Sequence, residues 1–85
     1  MSYSVYIIYS KLRNKYYTGY SMDVESRVTE HNMGATLSTR NGIPWVLVYL
    51  EKFENKSSAI KRENMIKRMK SRKYIERLIK SKSVD

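Results

Sequence analysis

The sequence predicts an α+β domain: a small three-stranded antiparallel sheet flanked by helices, in the order β-β-α-β-α-α. Three observations carry this reading. Two blocks rich in Tyr, Val and Ile, Tyr3 to Tyr9 and Lys15 to Tyr20, are parted by the short polar stretch Lys11-Leu12-Arg13-Asn14, the pattern of a hairpin. A segment between Ser21 and Gly34 carries apolar residues at helical spacing. A third apolar run, Trp45 to Phe53, precedes a lysine-rich C-terminal third with two more helical patterns.

In the hairpin, a four-residue turn pairs Ser10 with Lys15, which sets Ile8 opposite Tyr17 and Tyr6 opposite Gly19. Tyr6 and Tyr17 then become diagonal neighbours on one face, within reach of long side chains. A register shifted by one residue would separate them. Gly19 across from Tyr6 is expected to leave open space beside the phenol. Ser21 is placed to cap the following helix, with Asp23 and Glu25 in its first turn, and Gly34 to end it. Val24, Arg27, Val28 and His31 share an arc of about 100° on that helix, so Arg27 and His31 border its buried stripe.

Ala35 to Pro44 reads as a polar, turn-prone loop with Asn41-Gly42 near its end. The nearly continuous apolar run Val46 to Leu50 suits a central strand covered on both faces. A second helix is expected from about Ser57 to Lys70, with Ala59, Met65, Ile66 and Met69 on its apolar side; Ser71-Arg72 interrupts it, and Tyr74, Ile75, Leu78 and Ile79 mark a short third helix. Residues 1–80 are expected to form one domain and 81–85 a flexible C-terminal tail.

Composition narrows the function classes. With no cysteine and one histidine in 85 residues, disulfide frameworks, thiolate zinc sites and histidine-rich metal sites are excluded. No apolar run approaches the roughly 18–20 residues of a membrane span, and the start lacks the order of a signal peptide. A soluble protein of the cytoplasm is the expectation. Net charge is +9, and Lys56 to Lys82 holds eleven Lys/Arg against Glu63 and Glu76 alone. Such a field favours polyanions, nucleic acid first among them. The apolar faces of the C-terminal helices bring Met and Ile but no Trp or Phe, which argues against a membrane surface.

Glu63 is the anomaly. Its helical neighbours are Ala59, Ile60, Ile66 and Lys67. A carboxylate in that stripe costs several kcal/mol unless it is paired or holds a cation. An i,i+4 salt bridge with Lys67 is one resolution and a functional role the other.

Taken together, these residues resemble the GIY-YIG nucleases, specifically the small single-domain bacterial members. Ser4-Val5-Tyr6 stands where the family has Gly-Ile-Tyr, and Tyr17-Thr18-Gly19 where it has Tyr-Ile-Gly, ten residues apart. The similarity continues through Arg27-x-x-x-His31-Asn32, Pro44-Trp45 and Ala59-x-x-x-Glu63, and spans about Tyr3 to Ile79. Ser4, Val5 and Thr18 depart from the family triplets, at positions that supply no reacting atoms.

The resemblance implies hydrolysis of a phosphodiester assisted by one divalent cation, Mg²⁺ or Mn²⁺. Glu63 would hold the ion, Arg27 would meet the phosphate, Tyr6 would act as general base and Tyr17 would position the phosphate or the water. A phenol with its ordinary pKa of about 10 is a poor base near neutrality unless neighbouring cations lower it; Arg27, the metal and His31 are the candidates. His31 is alternatively the proton relay. Each residue also has a plain reading: Tyr6 and Tyr17 as strand tyrosines, Arg27 as an ion-pair partner of Asp23 or Glu30, His31 as a hydrogen-bonded core histidine.

Lys15, Thr39, Arg40, Lys67 and Arg72 are the residues expected to contact nucleic acid, through the phosphate backbone and with little sequence discrimination. The expected activity is an endonuclease acting on DNA rather than RNA, single-stranded or branched. The alternative is a non-catalytic nucleic-acid-binding module that keeps the nuclease fold.

Overall fold

The computed structural model describes residues 2–82. Strand β1 (Tyr3–Ser10) and strand β2 (Lys15–Ser21) form the expected antiparallel hairpin, with Ser10 opposite Lys15, Ile8 opposite Tyr17 and Tyr6 opposite Gly19. In the turn, Asn14 takes a left-handed conformation that Asn tolerates well (φ 53°). Its side-chain oxygen accepts hydrogen bonds from Tyr9 and Arg72.

Helix α1 (Val24–Asn32) follows, then a 3-10 segment (Leu37–Gly42), strand β3 (Trp45–Phe53), helix α2 (Lys56–Met69) and helix α3 (Arg72–Lys82). Asp23 rather than Ser21 caps α1: its carboxylate accepts from the Ser26 amide, while the Ser21 hydroxyl accepts from the amide of Asp23. Gly34 lies just past the helix with φ +81°, a left-handed exit that glycine takes without a Cβ clash. Asn55 caps α2, and Lys70 ends it in the left-handed region. Helix α3 runs on through Lys82, so the first two residues of the expected tail are helical; Ser83 to Asp85 lie outside the described residues.

The sheet order is β2-β1-β3, all antiparallel. The expectation that β3 is the central strand is therefore overturned. β1 holds the centre, and Val5, Tyr6, Ile7 and Ile8 are all at most 1% exposed. β3 is an edge, with Val46 and Leu47 exposed, and a bulge at Val48 shifts its pairing with β1 between Ile7 and Ile8.

Alternation along β1 sends consecutive side chains to opposite faces. On one face Tyr6 and Ile8 pack with Trp45, Tyr17, Val24, Val28 and Leu50. On the other Val5 packs with Ala59 and Ile66, covered by Tyr74, Ile75 and Leu78. Helix α1 thus closes one face, and α2 with α3 the other. Arg62 on α2 joins Glu51 of β3 (2.9 Å) and the Tyr74 hydroxyl of α3 (3.1 Å), tying the three elements together. No helix among the described residues is long and apolar enough to cross a membrane.

Candidate active site

The hairpin and α1 bring the first group of residues together. Tyr6 leans across Gly19: a Cβ there would lie 2.6 Å from the phenol oxygen. The space expected to be open beside Tyr6 is thus filled by its own ring, and glycine is what permits it. The phenol oxygen lies 2.9 Å from Nε2 of His31. On the other side of the imidazole, Nδ1 is 2.8 Å from the Thr39 hydroxyl, which donates to the Thr36 carbonyl at 3.3 Å. A hydroxyl has one proton. With it directed to Thr36, Thr39 accepts from Nδ1–H, which leaves Nε2 as the acceptor for the Tyr6 O–H. The result is a one-directional chain, Tyr6 to His31 to Thr39 to Thr36, in which Tyr6, His31 and Thr39 are each at most 1% exposed.

Burial sets the proton energetics. It pushes the Tyr6 phenol up to about 12, the neighbouring Tyr17 acts in the same direction, and Arg27 opposes both. His31 moves the other way: burial and then the Arg27 charge lower its pKa, so the ring is neutral near pH 7. Of the cations expected to lower the phenol, Arg27 acts in that direction but desolvation outweighs it, and a neutral His31 contributes none. Arg27 lies beside the phenol and is ion-paired with Glu30 at 2.8 Å. Of its two anticipated partners, Glu30 is the one it takes, while Asp23 caps the helix.

Tyr17 packs edge-on against His31, ring centroids 5.0 Å apart. Its ring also carries the Lys67 ammonium at 5.7 Å. Lys67 in turn pairs with Glu63 at 2.7 Å across one turn of α2. Glu63 is close enough to Tyr6 for its charge to act on the phenol, and its side chain is 12% exposed. Tyr6, Tyr17, Arg27, His31 and Glu63 therefore occupy one neighbourhood, and Lys67 joins them.

Of the residues expected to meet phosphates, Thr39 is buried with its hydroxyl engaged by His31 and Thr36, so it supports the histidine instead. The Arg40 guanidinium donates to the Gly34 carbonyl, holding the loop to the end of α1. Arg72 stacks on Tyr16 and donates to the Asn14 backbone and side chain and to Glu76, which pins α3 to the hairpin turn. Lys15 is exposed and lines two grooves flanking Tyr16 and Tyr17. One, of about 380 Å³, adds Lys67, Lys70 and Arg72. The other, of about 290 Å³, adds Arg13, Ser38, Asn41 and Trp45.

Two residues quoted in the sequence for the resemblance, without a role of their own, turn out to support the site. Asn32 accepts from the Trp45 amide at 2.6 Å and donates to its carbonyl at 3.0 Å, as an extra strand would. The Trp45 indole donates to the Thr39 carbonyl at 2.7 Å, which holds the histidine's support in place. An Asn next to His31, two residues before a helix-ending glycine, was the available signal; its short amide is suited to mimicking backbone.

A profile of the GIY-YIG catalytic domain matches residues 2–75. The chain belongs to the GIY-YIG family. This family is one of nucleases, and the hairpin described above carries both of its name-giving triplets in the substituted forms Ser-Val-Tyr and Tyr-Thr-Gly. The chain is similar to a UPF0213 protein of Staphylococcus haemolyticus, 47% identical over 64 residues that cover 74% of this chain and 77% of the relative. A UPF0213 protein of Staphylococcus aureus is 46% identical over 67 residues, covering 78% and 80%. One from the archaeon Halobacterium salinarum is 47% identical over 55 residues, covering 64% and 71%. The solution structure of a UPF0213 protein from Bacillus halodurans superposes with a TM-score of 0.62 at 35% identity, covering 96% of this chain and 86% of that one.

Proposed function

We propose that this GIY-YIG protein is a divalent-metal-dependent endonuclease that hydrolyses phosphodiester bonds in DNA with little sequence specificity. The observation that carries the reading is the buried Tyr6–His31–Thr39 chain. A neutral imidazole, held as the Nδ1–H tautomer by Thr39, presents Nε2 to the one proton of Tyr6. As water attacks phosphorus, its proton goes to the Tyr6 oxygen while the phenol's own proton passes to Nε2. The phenol therefore need not stand ionised at neutral pH, which its raised pKa forbids. Arg27 supplies a permanently charged fork for the phosphoryl oxygens, on which negative charge builds. Tyr17, packed on His31, orients the phosphate or the attacking water.

The residues present fit a hard divalent cation. Glu63 is a mostly buried carboxylate that already faces a cation, the Lys67 ammonium. Such a divalent ion would be held by this one carboxylate, with waters and substrate completing its oxygen ligands. Bound there, it would stabilise the charge on the leaving oxygen. A non-catalytic binding module would use the two basic grooves, but it has no need for a buried proton chain or for a carboxylate among lysines.

The test incubates the protein with single-stranded, duplex and branched DNA and with RNA, in Mg²⁺, Mn²⁺ or chelator. Divalent-dependent nicking of DNA is expected, abolished by Tyr6→Phe and by Glu63→Ala while binding persists. Metal-independent cleavage, or cleavage indifferent to Glu63→Ala, overturns the mechanism. Tight, salt-sensitive binding with no cleavage of any substrate establishes the binding module instead.

A further inference from the structure

Lys67 has two contacts that together point to more than a helix-surface ion pair. Its ammonium lies 2.7 Å from Glu63 Oε2 and 5.7 Å from the centre of the Tyr17 ring. The carboxylate is 12% exposed and the lysine 49%. The acid is therefore fixed in the site, whereas the lysine reaches it from a solvated position. From there the same side chain lines the groove that also holds Lys15, Lys70 and Arg72.

We propose that Lys67 is a stand-in cation. It occupies the Glu63 carboxylate until a divalent ion arrives, and then turns to the substrate phosphate along the groove. This inference rests on the reading of Glu63 as the metal-holding residue. The physical argument has three parts. A mostly buried carboxylate is costly without a positive neighbour, so the ammonium offsets that cost in the metal-free protein. Two cations beside one carboxylate repel, so the ion and Lys67 compete for it. The displaced ammonium keeps the face of Tyr17 as a contact and enters a cationic groove where only an anion would hold it comfortably. Metal and nucleic acid then assist each other's binding, since each removes an obstacle to the other, and such coupling is reciprocal.

The experiment measures Mn²⁺ binding to the nucleic-acid-free protein by electron paramagnetic resonance, for wild type, Lys67→Met, Lys67→Arg and Glu63→Gln. Lys67 is half exposed, so Lys67→Met is expected to fold, and circular dichroism melts check it. Lys67→Met should bind Mn²⁺ about tenfold more tightly than wild type, or bind measurably where wild type does not. Lys67→Arg should stay close to wild type. Glu63→Gln should lose the site. Unchanged or weakened Mn²⁺ binding in Lys67→Met, with Glu63→Gln still losing the site, overturns the stand-in role and leaves the metal assignment intact. Mn²⁺ binding that survives Glu63→Gln overturns the metal assignment itself, and the stand-in role falls with it. Absence of Mn²⁺ binding in both wild type and Lys67→Met also overturns the stand-in role.

Discussion

The Tyr6 hydroxyl and His31 Nε2 lie 2.9 Å apart, a phenol at the centre of the sheet bonded to a histidine on the helix that covers it. Twenty-five residues separate them in the chain. The bond joins a group whose proton is hard to remove to one that is hard to charge, because burial raises the first pKa and lowers the second. Neither ionises alone near pH 7.

Thr39 sets the direction of the hydrogen bonds through His31. Thr39→Val keeps the shape but leaves Nδ1–H unpaired in the interior, which is expected to cost about 1–3 kcal/mol of stability. It also releases the tautomer, so nicking should fall at least about tenfold, within the range that general-base positioning contributes. Thr39→Ser should restore both. Urea unfolding with parallel nicking assays checks this; an active Thr39→Val would remove Thr39 from the chain.

The lowered pKa of His31 gives a pH dependence of definite sign. Below about 6.5 the unfolded chain takes up a proton that the folded chain resists, so stability is full above that pH and falls as the pH drops towards the folded value. The slope is at most about 1.4 kcal/mol per pH unit for one proton. The Asp23 carboxylate, whose pKa is lowered by bonds from Ser26, acts only below the usual carboxylate range and does not enter this window. Melting temperatures from pH 7.5 to 5.0 should decline for wild type and stay flatter for His31→Gln. Cleavage should decline over the same interval, since protonated His31 cannot accept from Tyr6.

Gly19 sits beneath the phenol. In Gly19→Ala the new methyl would lie 2.6 Å from the Tyr6 oxygen, which must move. The overpacking should cost about 1–3 kcal/mol, and displacement of the phenol from His31 should lower nicking well beyond what the stability loss explains. Nicking measured where the variant is fully folded separates the two effects. A rate close to wild type would show that the position of the phenol has slack.

Lys15 and Arg72 are both basic and both expected on the nucleic-acid face, yet they should behave differently. Lys15 is exposed and lines both grooves. Lys15→Ala should weaken DNA binding and reduce the slope of log affinity against log salt by about 1, with no change in stability. The Arg72 guanidinium is engaged by Asn14, Glu76 and Tyr16. Arg72→Ala should lower stability by about 1 kcal/mol, since the contacts are exposed ones. Fluorescence-anisotropy titrations at several salt concentrations, with urea unfolding, distinguish the two.

Much of this was legible in the chain. The hairpin register follows from the length of the turn between two β-rich blocks, and with it the nearness of Tyr6 to Tyr17. The helix carrying Arg27 and His31 follows from its periodicity and from Gly34. Strand order did not follow: a continuous apolar run marks burial on both sides, and Val46 to Leu50 has that composition although β3 is an edge. The run in β1 is interrupted by tyrosines, one of them Tyr6, whose ring the core absorbs because Gly19 makes room.

The sequence by itself determined the elements, the hairpin register, the basic C-terminal third and the family triplets, because these depend on local propensity, spacing and charge. Only the tertiary structure decided which protons can move. Thr39 reads as a phosphate contact on a loop until folding sets it against His31, and the pairing of Lys67 with Glu63 is legible from their spacing while its place over the Tyr17 ring is not. The reason is physical: hydrogen-bond direction and pKa depend on what surrounds a group in three dimensions, and desolvation here outweighs the nearby charge of Arg27.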